Sequence, residues 1–157
     1  MKIVGIDPSS SICGVALIED NNLLFTDAWF KDKNKSHPDR LVEYFIWLQT
    51  WLSINEPDIA VIEFLSVTRN AEATRVIAFY QAVSALVCKL RGILVVEARV
   101  TSARKATLGK GNMAKEDVYK EMKKRYPNNE WKSFTKGGAD EADALVMALS
   151  YMSLVER

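Results

Sequence analysis

The chain is 157 residues long, 48% hydrophobic and 26% charged, with a formal net charge of +1. This length suits one domain around one core, and this composition excludes a disordered chain or a fibrous repeat. His37 is the only histidine, which excludes sites needing two imidazoles, and the only cysteines, Cys13 and Cys88, sit in separate apolar patterns that predict buried free thiols and no disulfide or metal pair.

The opening MKIVGIDPSS turns polar too early to supply the apolar core of a signal peptide, and no later run reads as a membrane span, so a cytoplasmic protein without membrane contact is expected. Lys2–Asp7 and residues 13–19 read as two β-rich runs joined by a Pro/Ser turn; residues 23–30 follow after Asp20-Asn21-Asn22, which predicts an antiparallel meander. An amphipathic helix is predicted over 39–54. Leu41, Phe45, Leu48 and Leu52 recur there at helical spacing, Tyr44, Trp47 and Trp51 form a second stripe, and Pro57 ends it. Ile59–Glu63 is a short apolar run of the kind found in buried parallel strands, and it ends on a carboxylate. A long helix over Ala71–Leu90 carries Val76, Tyr80, Val83 and Val87 on one face and stops before Gly92. Residues 93–96 supply the fifth strand. The remainder reads as a short helix over 101–107, the loop LGKGNM, a basic helix over 114–125, a polar linker and a last helix from residue 139. A meander followed by alternating helix and strand implies one α/β domain over residues 1–157, a mixed five-stranded sheet with helices on both faces.

Charge is unevenly distributed. Residues 99–136 hold eleven Lys/Arg against four Asp/Glu, a local excess that suits a polyanion as well as a solvated helix face. The acids are placed more tellingly. Asp7 closes the first strand, where it either caps the Pro/Ser turn or carries chemistry. Glu63 ends the buried run between Ile62 and Phe64, where a carboxylate needs water, a partner or a cation. Asp140 and Asp143 lie three apart at the start of the last helix, so they project from one face and repel unless a cation sits between them; Glu141 points elsewhere. All three also complement the helix dipole, which is the bland reading. Together, Asp7, Glu63, Asp140 and Asp143 make an all-oxygen donor set of the kind preferred by Mg²⁺, with Mn²⁺ as substitute. Such a cluster holds two ions about 4 Å apart for phosphodiester hydrolysis.

The segments GIDPSSSICGVALI, IEFLSVTRNAEATRVIAFYQA, RKATLGKGNMAKEDV and GGADEADALVMAL, in that order, make the chain resemble the RuvC family of Holliday-junction resolvases, within the ribonuclease-H-like superfamily. The resemblance runs from residue 1 to about residue 150, and the small size is similar to that of phage-type members, for which the host cytoplasm is the expected location. It implies that Asp7, Glu63, Asp140 and Asp143 are the catalytic, metal-binding quartet, and that the protein is a homodimer making paired symmetric nicks in four-way DNA junctions. It also implies that the helix over Ala71–Leu90, with Ala78, Ala82 and Ala85, contributes to the dimer interface. Two basic residues eleven apart flank the family's glycine loop; Arg104 and Lys115 take those positions, with Lys105 as a rival for the first. Lys115 is thereby expected to be catalytic and to touch DNA, as a cation in a helix's first turn makes most sense beside phosphate. Lys110, in the loop Gly109-Lys110-Gly111, and Arg69 and Phe64, which follow the second acid, complete the residues expected to face DNA. The chain departs from the family at Ser9, where a glycine is usual, and at Ser66, where bacterial relatives carry a wedge aromatic that Phe64 does not match in register.

Two other functions compete with junction cleavage: a broader nuclease acting on forks and other branched DNA, favoured by the missing wedge, and a catalytically inactive branched-DNA-binding protein. The second gains nothing from clustered negative charge where phosphate must approach. An actin-like nucleotide-binding domain also opens on a strand and an aspartate turn, but needs a longer chain and a second phosphate loop.

Overall fold

Along the first strand Ile3, Gly5 and Asp7 alternate with Val4 and Ile6, and in the computed structural model, which describes residues 1–64 and 70–155, the two sets face opposite sides of one sheet. The strands are β1 (Lys2–Asp7), β2 (Ile12–Glu19), β3 (Asn22–Phe30), β4 (Ile59–Glu63) and β5 (Leu94–Ala98), in the order β3-β2-β1-β4-β5. β1 pairs antiparallel with β2 and β2 with β3, while β1–β4 and β4–β5 are parallel, so the sheet is mixed as expected. The β2–β3 hairpin turns at Asp20 and Asn21, whose φ values of 48° and 65° lie in the left-handed region that tight hairpins use and that Asp and Asn tolerate.

Helices α1 (His37–Asn55) and α2 (Ala71–Leu90) cover one face; α3 (Val100–Leu108), α4 (Lys115–Arg125) and α5 (Gly138–Val155) cover the other. α1 starts earlier than its periodicity predicts because Ser36 caps it, accepting from the Asp39 amide, with Pro38 in its first turn. It ends where Glu56 turns left-handed, just before Pro57. Its buried side chains are Tyr44, Leu48, Trp51 and Leu52, with Leu41 and Phe45 only partly covered. The buried stripe is thus rotated toward the aromatics, and the reason is polar. Tyr44 Oη lies 2.6 Å from Ser84 Oγ and 3.1 Å from Cys13 Sγ, so the ring is buried with its hydroxyl satisfied.

Both cysteines are free and buried as expected, and burial pushes the Cys88 thiol up to about 12 against the opposing charge of Lys89. One expectation needs correction. By length and composition α2 is long and apolar enough to cross a membrane, although here it lies against α1, β4 and β5 with Tyr80, Gln81, Ser84, Val87 and Cys88 buried. Its other side leaves Ala78, Phe79, Ala82, Leu86 and Leu90 exposed, while Ala85 is partly buried against the core.

α5 behaves differently. Ala142, Ala144, Leu145, Val146, Met147 and Ala148 are all buried against the sheet. A Cβ added to Gly5 would lie 1.8 Å from the Ala144 carbonyl oxygen, and one on Gly14 would lie 2.2 Å from the Asp140 carbonyl carbon. These two strand glycines let the backbone of α5 rest directly on β1 and β2.

Candidate active site

Strand register assembles half of the site. Asp7 pairs with Gly14 across β1–β2, and Ile6 pairs with Ile62 across β1–β4, so Asp7 and Glu63 end neighbouring parallel strands. Both share parity with Ile3, Ile59 and Val61, whose side chains belong to the core under α5, so both carboxylates emerge on that face. α5 brings the other half. Its first turn lies over Gly14, beside Asp7, and presents Asp140 and Asp143 from one side of the helix.

Asp7, Glu63, Asp140 and Asp143 line one cavity of about 200 Å³ together with Pro8, Ser9, Ile77, Val100, Arg104 and Lys115. Volume alone does not single it out. An open groove of about 490 Å³ between Trp29 and Trp47 is larger, but its acids are only Asp32 and Glu43. What distinguishes the smaller cavity is its chemistry.

Asp7 is 5% exposed, and its Oδ2 is buried without a hydrogen-bond partner. Burial pushes its carboxyl well above the usual aspartate range; Lys115 opposes that rise, while a side-chain hydrogen bond with Glu63 and the charges of Glu63 and Asp143 add to it. Asp140 is raised for the same leading reason, burial, again with Lys115 pulling the other way. Asp143, 1% exposed, is clamped. Arg104 Nε donates to its Oδ1 at 3.0 Å, and Arg104 Nη2 donates to Oδ1 and Oδ2 at 2.8 and 2.9 Å. Arg104 Nη1 also donates to the Met113 carbonyl at 2.7 Å, so one guanidinium ties α5 to the loop before α4.

Lys115, first residue of α4, reaches over the cavity. Its Nζ lies 3.8 Å from Asp7 Oδ2, 3.3 Å from Asp140 Oδ1 and 3.4 Å from Asp143 Oδ2. Burial works to lower its pKa, but Asp7, Asp143 and Asp140 outweigh it and hold the ammonium above the ordinary lysine value.

The other sequence-predicted residues are placed as follows. Lys105 and Lys110 are exposed and do not line the cavity. Phe64 is half-buried at the end of β4, where its amide donates to the Ala98 carbonyl at 2.9 Å. Arg69 and Ser66 lie outside the described residues. Arg104 turns inward: it is 8% exposed and its three donor nitrogens bond Asp143 and Met113, because a carboxylate as buried as Asp143 needs a fixed counter-charge.

Sequence reasoning missed the anchor behind Asp140. Glu141 does point away from the cavity, but into complete burial, where it accepts from the Lys132 amide at 3.1 Å and from Lys132 Nζ at 2.8 Å. The same Nζ also reaches Asp27 Oδ1 at 3.2 Å, so the linker before α5 is tied to both the helix and β3. Gly5 and Gly14 were missed as well, although a glycine inside a strand signals close backbone approach.

The donor set fits a divalent cation in kind: it is all carboxylate oxygen, and one of those oxygens is buried without a hydrogen bond. Among the described residues, however, no three His, Cys, Asp or Glu side chains are already drawn together closely enough to hold a metal ion. Two basic side chains stand among the acids instead.

Comparison with known proteins places this arrangement. Residues 3–151 match the family model described as crossover junction endodeoxyribonuclease RuvC. The protein of that name from Trichlorobacter lovleyi is 29% identical over 98% of this chain and 85% of its own length, and the one from Geotalea uraniireducens is 30% identical over 78% and 74%. Among solved structures, Thermus thermophilus RuvC in complex with Holliday junction substrate superposes with a TM-score of 0.81 at 16% identity, covering 99% of this chain and 95% of that one. At that identity the likeness speaks for the fold, which is ribonuclease-H-like as expected.

Proposed function

This chain belongs to the RuvC family of crossover junction endodeoxyribonucleases, and on that premise we propose that it is a metal-dependent endonuclease that resolves four-way DNA junctions by paired, symmetric phosphodiester hydrolysis. The observation that carries the reading is the meeting of Asp7, Glu63, Asp140 and Asp143, drawn from β1, β4 and α5, at one small cavity with an unpartnered buried oxygen on Asp7. Structural acids at three unrelated segment ends have no reason to converge, since their mutual repulsion is a cost.

Asp7, Glu63, Asp140 and Asp143 would hold Mg²⁺, or Mn²⁺ in its place. When bound, such an ion would supply Lewis-acid charge at the scissile phosphate and would make water a stronger nucleophile. The chain's own residues do the rest. Arg104 fixes the orientation of Asp143. Asp7 Oδ2, buried without a hydrogen bond, would be available to ligate the ion. Lys115, on the cavity rim, and the exposed Lys105 and Lys110 supply positive charge along the path of the DNA backbone.

Paired cuts need two sites in fixed relation, and we read the exposed stripe Ala78, Phe79, Ala82, Leu86 and Leu90 of α2 as the face that joins two copies into a homodimer. The small residues Ala78 and Ala82 lie on that face and allow close helix approach.

The test is nicking of labelled four-way junctions and replication forks with Mg²⁺, Mn²⁺ or EDTA, reading cut positions on every strand. Symmetric paired nicks on junctions that vanish in EDTA and in Asp7→Asn are expected. Full activity in Asp7→Asn overturns the site. Equal cutting of forks identifies the broader branched-DNA nuclease, and binding without nicks identifies an inactive binder.

A further inference from the structure

The two cations among the acids are held in different ways. Arg104 is buried, bonded at 2.8 to 3.0 Å to Asp143 and anchored at its far nitrogen by the Met113 carbonyl. Those are ordinary charge-assisted hydrogen-bond lengths, and the group is fixed at both ends. Lys115 has neither property. Its side chain is 51% exposed, and its contacts at 3.3, 3.4 and 3.8 Å are longer than a well-made ammonium–carboxylate bond. No other acceptor holds the ammonium among the described residues, because the adjacent Glu116 is engaged by Lys120. A single loosely held charge is therefore shared by Asp7, Asp140 and Asp143, of which Asp143 alone also has Arg104.

A divalent cation bound by those oxygens would sit about 2.0–2.2 Å from them, in the same space and with the same sign of charge. Ammonium and metal ion are then mutually exclusive ligands of one carboxylate set. Building on the metal-dependent reading above, we propose that Lys115 is a tethered counter-ion that competes with the divalent cation for Asp7, Asp140 and Asp143, and swings outward when the ion enters. Its exposure and its place at the open end of α4 leave that path free. The displaced ammonium then faces the DNA backbone. A phosphate that attracts it makes metal entry easier, so metal and DNA bind cooperatively, each raising the affinity of the other by the same factor.

The competition is measurable without turnover. Mn²⁺ is titrated calorimetrically into the full-length protein in the absence of DNA, for wild type, Lys115→Met, Lys115→Gln and Lys115→Arg. Removing the charge is expected to tighten Mn²⁺ binding by roughly 5- to 150-fold, the usual range for coupling between two sites, while Lys115→Arg stays near wild type. In EDTA, Lys115→Met is expected to melt below wild type and to gain more than wild type on adding Mn²⁺, since three acids lose their only mobile counter-charge. Equal Mn²⁺ affinity across the four proteins, with junction nicking by wild type intact, overturns the counter-ion role and leaves the nuclease reading standing. Absence of Mn²⁺ binding in all four, with no nicking, overturns the nuclease reading and this inference with it.

Discussion

On the α5 face a helix backbone comes down onto the strands; on the α1–α2 face aromatic side chains hold the helices away from them. Gly5 and Gly14 leave no room for a Cβ beneath α5. Trp29, Tyr44, Trp51 and Tyr80 fill the opposite layer, with ring centroids of Trp29 and Tyr44 5.2 Å apart and of Tyr44 and Tyr80 5.3 Å apart. The difference follows from what each face must do. Four carboxylates from three segments converge on a cavity of about 200 Å³ only if the helix carrying two of them is close to the strands carrying the others. The aromatic face carries no such constraint, and its outer surface leaves Phe79, Leu86 and Leu90 of α2 exposed.

The sharpest way to break this comparison is Arg104→Ala on the close-packed face. It leaves Asp143, 1% exposed, with only the longer Lys115 contact in place of its bidentate partner, and a loss of about 3 kcal/mol in unfolding free energy by urea titration is expected. Next comes Gly14→Ala, whose new Cβ meets the Asp140 backbone. Overpacking of this kind costs about 1–3 kcal/mol, and nicking should fall further than stability does because Asp140 moves away from Asp7. Asp7→Asn acts in the opposite direction on stability. The folded-state pKa of Asp7 is raised, so its favourable contribution is present below the ordinary aspartate range and is lost as pH rises through the raised value. In EDTA, Asp7→Asn is therefore expected to melt above wild type at high pH, with the gap closing as pH falls through the raised value toward the ordinary aspartate range. A melting gap that is constant across pH would show that Asp7 is not held above its usual range. Smallest in stability is Leu86→Ser on the far side of the molecule, 53% exposed in one copy. Its monomer should lose no more than about 0.5 kcal/mol, while sedimentation should show the dimer weakened; an unchanged dimer would place the interface elsewhere.

Much of this was readable in advance, for identifiable reasons. The spacing of Asp140 and Asp143 assigns both to one side of a helix, and the apolar runs before Asp7 and Glu63 put each at a strand end; that both emerge on the α5 face is decided by the β1–β4 register. The strands were legible to within a few residues because their apolar runs are bounded by turn residues. α1 was less so: periodicity alone weighs Leu41 and Phe45 above Tyr44, and only the presence of Ser84 and Cys13 beside the Tyr44 hydroxyl decides that the tyrosine goes inside. The inward turn of Arg104 was hidden for a related reason. In sequence it is one of several cations near a glycine loop, and nothing local distinguishes the one that turns inward.

The amino-acid sequence by itself determined which residues of one segment can share a face, which segments are strands or helices, and that a metal site could not rest on paired His or Cys ligands, because side-chain periodicity and donor chemistry are local properties. Only the tertiary structure decided that Arg104 serves Asp143, that Lys115 spans three acids, and that Gly5 and Gly14 admit α5 so closely. These depend on distances between segments far apart in the chain, where charge and volume act through space and not along the backbone.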